Sequence, residues 1–315
     1  MFWRNSRQRR AKIIKSQRLN FRGKNSPQKN LFHKLKGKDF AQNRQLNKTM
    51  RQTKLIEFQN KTGNLLRGIL LSNGNSRKAV LMCGGFERST TTEKKFKATA
   101  DELAKNNIIS LRFDYTGCGL SDGDFSKTTV GRISGDIQSA ADFLRKESGV
   151  KDISLICHSL SACAIGSLLN NINFKKIVLL SPALNQKDLL RYWFTVSAME
   201  KQNPHIKINW SNFKNYLDEK RFQEDCLRTD KMTKANYISP AYYLENKDKD
   251  YSGYFKGNQN ILHIHGDKDD KVPLESLNVK FENEIIVKGG DHDLEQPDMF
   301  GRWINKTVDF INETF

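Results

Sequence analysis

With 315 residues, 37% of them hydrophobic, the chain can bury one large core, and 20 Gly and 6 Pro exclude a collagen-like or low-complexity protein. The net charge of +18 suggests a nucleic-acid binder until it is located: residues 1–54 hold seventeen Lys or Arg against one acid, Asp39, about +16 in all, and the remainder is nearly neutral. Five cysteines (Cys83, Cys118, Cys157, Cys163, Cys226), odd in number and irregular in spacing, argue against a secreted disulfide framework and for a reducing compartment, the cytoplasm.

Residues 1–52 are rich in Lys, Arg, Asn and Gln and have no firm apolar period. They bury too little surface to offset the entropy of ordering, so a disordered extension is expected. They lack the apolar stretch of a signal peptide, and nowhere does the chain carry a run of about 18 apolar residues that would span a bilayer. The folded domain is expected over 53–315. Lys54 to Gln59 and Leu65 to Leu71 read as a strand pair around Gly63, and Ala79 to Cys83 as a short buried strand. Glu93 to Lys105 follows as an amphipathic helix, Ile108 to Phe113 as a strand, and Thr128 to Ser148 as a long helix. Ile153 to Cys157 is the next strand, Leu160 to Asn170 a helix, and Lys176 to Leu180 a strand. Buried strands alternating with helices predict a mostly parallel sheet covered on both faces, an α/β fold. The alternation stops over about 183–260, a polar, aromatic, helix-rich stretch read as a cap insertion. It resumes with Ile261 to His265, Glu284 to Val287 and a last helix near Asp298 to Phe310. Cys83 and Cys157 both end predicted strands and are expected to be buried neighbours.

Ser159 stands between the Ile153 strand and a small-residue helix, the strand–turn–helix setting in which a sharp turn lifts a serine hydroxyl out of a sheet. The bland alternative is a serine that caps the helix. A serine nucleophile needs a base and an orienting acid. His292, in the loop Gly289-Gly-Asp-His292 after the last strand, is the candidate base. Asp267, Asp269 and Asp270 all lie just past the Ile261 strand. Asp269, at the crest of the loop before Val272-Pro273, is preferred, and Asp267 is second. Asp291 and Asp293 flank His292 and point elsewhere. His158 is read as structural. The oxyanion hole is assigned to the backbone N–H groups of Leu160 and of Phe86, in Gly84-Gly85-Phe86. The acid cluster lacks the ligand spacing of a calcium loop, and no metal is expected.

These residues together resemble the α/β-hydrolase family over almost everything after Met50, and within it the small serine esterases and S33-type serine hydrolases, including cinnamoyl- and feruloyl-esterase-like members. The matching pieces are Cys83-Gly-Gly-Phe86, Arg112 through Asp124, the turn at Ser159, His265-Gly-Asp-Lys-Asp269-Asp-Lys-Val-Pro273, and His292. Cys157 and Ser161 stand where glycines are usual, Gly84 where a histidine is usual, and Thr116 where Arg is common. The resemblance implies ester hydrolysis through an acyl-enzyme, with a small-molecule ester as substrate, no cofactor, and a cap that shapes the pocket.

The leading expectation is a serine esterase, thioesterase or amidase acting on a small acyl substrate. A non-catalytic hydrolase scaffold used for binding is the second reading. The third is a protein whose basic tail tethers it to RNA or an anionic membrane, since that tail has the charge for phosphate contacts. The same Arg-rich, acid-poor segment also fits a mitochondrial presequence, or an upstream extension to a start at Met50.

Overall fold

The computed structural model describes residues 51–73, 76–230 and 238–313; the expected extension, up to residue 50, lies outside them. Its strands are β1 (Arg51–Gln59), β2 (Leu65–Asn73), β3 (Ala79–Cys83), β4 (Ile109–Phe113), β5 (Ile153–His158), β6 (Ile177–Leu180), β7 (Ile261–Gly266) and β8 (Asn283–Val287). They form one sheet in the order β1-β2-β4-β3-β5-β6-β7-β8, in which β2 alone runs against the others. The fold is that of the α/β-hydrolases.

Alternation along the strands explains the two cores. In β3, Val80 and Met82 face one side, and Ala79, Leu81 and Cys83 the other. The first face is covered by α1 (Lys94–Lys105) and by the last helix, through Phe96, Leu103, Trp303, Ile304 and Val308. The second is covered by α2 (Val130–Ser148), through Ile133, Ile137, Ala141 and Leu144. Buried on both faces, β3 and β6 are apolar throughout and β5 is apolar apart from Ser154 and His158, which is why they were legible as short apolar runs. α2 is well delimited. The Thr129 side chain accepts the Arg132 N–H at 3.2 Å, and Gly149 closes the helix in the left-handed conformation.

Several boundaries differ from expectation. β1 begins at Arg51, three residues early, so the domain boundary at 52/53 falls inside a strand. Arg51 and Gln52 pair with Asn73 and Ser72 through backbone alone, and an edge strand exposed along this stretch carries no apolar signature. The helix after Ser159 is short: α3 (Ser161–Gly166) gives way to turns, where a Cβ on Gly166 would press on the Tyr254 ring. The last helix, which becomes α7 below, spans Phe300–Asn312.

Between β6 and β7 lie α4 (Gln186–Gln202), α5 (Glu219–Leu227) and α6 (Pro240–Asn246), with no strand among the described residues of that stretch; α7 (Phe300–Asn312) ends the domain. The insertion is fastened to the sheet edge. Glu245 on α6 accepts the Val130 and Gly131 N–H groups at 2.6 and 2.9 Å, capping α2 from another element. On α4, the Tyr192 hydroxyl donates to the Asp270 carbonyl at 2.9 Å and Trp193 Nε1–H to that of Lys271 at 2.5 Å.

The run Asp114-Tyr-Thr-Gly-Cys-Gly-Leu-Ser is a structural knot. The Asp114 carboxylate is fully buried and accepts from the Thr91 N–H and hydroxyl, the Ser89 hydroxyl and the Leu120 N–H. Gly119 has φ +52°, and a Cβ there would collide with that carboxylate. Asp114 thereby ties the loop after β3 to the loop after β4. Asp114→Ala is expected to cost about 3 kcal/mol of stability, because it orphans several buried donors at once. Urea denaturation reads this directly; an unchanged midpoint would mean that the loops are held by other contacts.

Candidate active site

The chain runs from β3 through α1 to β4 on one side, then returns through α2 to β5 on the other side of β3. That reversal opens a crevice at the carboxyl ends of β3 and β5, where ligands bind in open α/β sheets. Ser159 sits at this point with φ +57°, a left-handed conformation that a non-glycine residue adopts only under constraint. The constraint is visible: its N–H donates to the Leu180 carbonyl at 2.9 Å, and its own carbonyl accepts from Ala162 and Ala183. The two non-glycine neighbours fit for separate reasons. Cys157 is an interior strand residue in register with Cys83, as expected, and all five cysteines are buried free thiols. Ser161 is fully buried, and its hydroxyl lies within hydrogen-bond reach of the Cys83 and His158 carbonyls, so it costs no unpaired polar group.

Ser159, His292 and Asp269 meet. His292 Nε2 lies 3.1 Å from Ser159 Oγ, and its Nδ1 2.8 Å from Asp269 Oδ2. A carboxylate only accepts, so Nδ1 carries the proton and the Nε2 lone pair faces the serine hydroxyl. All three residues are buried, at 7% exposure each. Asp269 Oδ1 accepts the Lys271 and Val272 N–H groups at 3.0 and 2.8 Å. Burial by itself would raise the Asp269 carboxyl; hydrogen bonds from His265 and His292 and the Val272 N–H outweigh it and hold the group well below the usual carboxylate range. Asp267 and Asp270 are exposed, and Asp267 accepts the Gly289 N–H instead. Asp291 caps the Leu294 N–H, and Asp293 takes two hydrogen bonds from Arg88 at 2.8 and 3.0 Å.

The Gly84–Phe86 loop passes directly over the serine: a Cβ on Gly85 would stand 3.3 Å from Ser159 Cβ and 3.1 Å from His158 Nδ1. Neither the Phe86 nor the Leu160 N–H donates to another group among the described residues. The Phe86 ring packs edge-on against Phe125 and, from the insertion, Tyr242, with centroids 5.0 and 5.6 Å away. Behind the site runs a charged cluster. Arg88 holds Asp293, and the fully buried Lys95 lies 3.6 Å from Glu93 and 3.7 Å from Glu295. It joins the loop carrying Phe86 to the loop carrying His292. Desolvation pushes the Glu93 carboxyl up against the pull of Lys95 and Arg88.

Two residues gain a more definite place than the sequence offered. His158 donates from Nε2 to the His292 backbone carbonyl at 2.9 Å, so it tethers the loop that carries His292. Burial, and after it the charge of Lys95, keeps it neutral by depressing its imidazolium strongly. His265, four residues before Asp269, lies 3.2 Å from the same Oδ2 that His292 holds. The signal for it was present as the alternation His263-Ile-His265, which puts two imidazoles on one face of a strand. Among the described residues, no group of His, Cys, Asp and Glu is arranged to hold a metal, and no helix is long and apolar enough to cross a membrane.

The family described as serine aminopeptidase, S33, matches residues 74–246, just over half of the chain. No curated protein matches. Many solved structures do. The esterase Est1E of Butyrivibrio proteoclasticus, with ferulic acid bound, superimposes with a TM-score of 0.62 at 19% identity, covering 81% of this chain and 97% of that one. A hydrolase from Agrobacterium vitis gives 0.60 at 17% identity over 84% and 100% of the two chains. An esterase from Pyrococcus furiosus gives 0.59 at 17% identity over 93% and 98%. At such identities the likeness is one of fold.

Proposed function

Because this chain belongs to the S33 serine aminopeptidase family of α/β-hydrolases, and is thus a serine hydrolase, we propose that it cleaves a carboxylic ester or thioester of a small acyl substrate, with Ser159, His292 and Asp269 as its catalytic residues. The observation that carries this reading is the continuous hydrogen-bonded run from Asp269 through His292 to Ser159, buried at the sheet's reversal point. His292 Nε2 takes the Ser159 proton as Oγ attacks the acyl carbon. The Phe86 and Leu160 N–H groups, uncommitted elsewhere, receive the negative charge that develops on the carbonyl oxygen. The same imidazole then returns the proton to the departing alkoxide or thiolate. A water, deprotonated by His292, releases the acid from Ser159. Asp269 stays ionised throughout, fixing the tautomer and stabilising the imidazolium. The insertion between β6 and β7 serves as a cap, contributing Tyr242 beside Phe86 and clasping the acid loop through Tyr192 and Trp193. Catalysis is favoured over a purely binding role because the elbow departures, Cys157 and Ser161, remove neither a proposed catalytic residue nor a proposed oxyanion donor, and both are accommodated in the buried turn. A fluorophosphonate probe tests the reading: one adduct, mapped by mass spectrometry to Ser159 and absent from Ser159→Ala. An unlabelled wild-type chain would reject it.

The basic segment is proposed to be dispensable for this chemistry. All the assigned residues lie after it, and a start at Met50 leaves β1 whole. Such a chain should keep kcat/KM within about a factor of three, under ~1 kcal/mol. It should also lose any salt-sensitive retention on RNA or anionic vesicles. An inactive truncation would mean that the segment supports the domain.

A further inference from the structure

Strand β7 carries two imidazoles on one face. Leu262 and Ile264 turn toward α7, while Ile261, His263 and His265 turn to the other side. Both histidines are fully buried, and they form a line. Glu284 Oε2 on β8 is 2.8 Å from His263 Nδ1; His263 Nε2 is 3.0 Å from His265 Nδ1; His265 Nε2 is 2.8 Å from the Val272 carbonyl and 3.2 Å from Asp269 Oδ2. The line therefore runs from the surface, where the Glu284 side chain is 42% exposed, to the carboxylate that holds His292.

The polarity of these contacts counts the protons. The Val272 carbonyl and the Asp269 carboxylate only accept, so His265 Nε2 carries a proton. The half-exposed Glu284 carboxylate also accepts, so His263 Nδ1 carries one. Two neutral rings would then face each other lone pair to lone pair at 3.0 Å, with nothing between. Filling that contact takes a third proton on two rings, and one ring becomes an imidazolium. Burial, and next the charge of His265, push His263 down to about 3, which leaves the proton to its neighbour. Among the described residues, the two rings are in hydrogen-bond or ion-pair contact with no charged side chain besides Glu284 and Asp269. The Phe281 ring lies tilted against His263, with centroids 4.7 Å apart, and β6 presents Ile177, Val178, Leu179 and Leu180 beside β7. His292 reaches the group solely through Asp269.

We propose that Glu284 and His263 hold His265 as an imidazolium, and that His265, through Asp269, is a positioning residue that sets how much negative charge His292 meets. The inference rests on the catalytic reading of Asp269 and His292 given above. With Oδ1 pinned by two N–H groups and Oδ2 shared by two rings, the carboxylate neither rotates nor spends its whole charge on His292. Removing the extra proton leaves Asp269 uncompensated. The charged form of His292 is then favoured, and the acid limb of the kcat/KM profile moves to higher pH.

The test uses the full chain, uniformly labelled with nitrogen-15, and the variants His265→Gln, His263→Leu and Glu284→Gln. At pH 7 both ring nitrogens of His265, assigned by their loss in His265→Gln, should give imidazolium-type shifts, while His263 shows one protonated and one lone-pair nitrogen. With p-nitrophenyl acetate, His265→Gln and His263→Leu should raise the acid limb by about one pH unit. Glu284→Gln, a change at a half-exposed site that spares the fold, should raise it by a smaller amount. The plateau above the limb should stay within about a factor of three of wild type for Glu284→Gln. A lone-pair nitrogen on His265 at pH 7 would overturn the proposal. So would acid limbs that superimpose on wild type while only thermal stability falls, the mark of a merely structural role. If Ser159→Ala kept its turnover, the catalytic reading would fail by itself, and the nitrogen shifts would still decide the protonation of His265.

Discussion

Ser159→Ala is expected to lower kcat on a short p-nitrophenyl ester by on the order of 10³ or more, the scale seen when a covalent nucleophile is removed and only binding and oxyanion stabilisation remain. The fold should survive the change. Alanine at φ +57° is no easier than serine, yet the position is fixed by its backbone: its N–H is held by the Leu180 carbonyl and its own carbonyl by Ala162 and Ala183. The residual rate should show no acid limb from a base acting on the hydroxyl. Turnover close to wild type, in a preparation free of contaminating esterase, would remove Ser159 from the mechanism.

Asp269→Asn should be nearly as damaging, a loss of on the order of 10³ to 10⁴ in kcat. The introduced amide donates where the carboxylate accepted, so its favoured partner is a bare Nδ1. His292 then carries its proton on Nε2 and offers no lone pair to Ser159. Asp267→Asn and Asp270→Asn should each stay within about a factor of ten, since both side chains are exposed and neither touches the imidazole. The comparison is internally controlled, because all three variants remove one negative charge from the same loop. Should Asp267→Asn prove the worst of the three, the acid has been misassigned. The pair also separates electrostatics from geometry. A shift in rate common to all three would report loop charge, and one confined to Asp269 would report the hydrogen bond at 2.8 Å.

Much of this was legible from the chain because it lives in local pattern. The buried strands β3 and β6 are apolar runs, and β5 is one apart from Ser154 and His158, since both of their faces are covered. Ser159 could be placed because a strand that stops at a serine and is followed at once by a helix admits few backbone paths. The expected order serine, acid, histidine came from the resemblance to the α/β-hydrolases. Edge structure was less visible: Arg51 and Gln52 join β1 by backbone pairing with Asn73 and Ser72, and backbone pairing leaves no trace in side-chain pattern.

What the sequence by itself determined is the α/β alternation, the turn at Ser159, and a short list of acids and histidines from which a site could be assembled. Local propensity and hydrophobic period act within a few residues, so they reach that far. Only the tertiary structure decided which acid faces His292, because Asp267, Asp269 and Asp270 share one loop and differ in burial and direction, which depend on elements far along the chain. It alone put Asp114 between two loops, gave the His158 ring the task of holding the loop that carries His292, and joined Glu284, on the neighbouring strand, to Asp269 through two imidazoles. Such contacts bring together residues from separate strands, and their hydrogen-bond polarity, hence the number of protons they hold, exists only once the strands are in register.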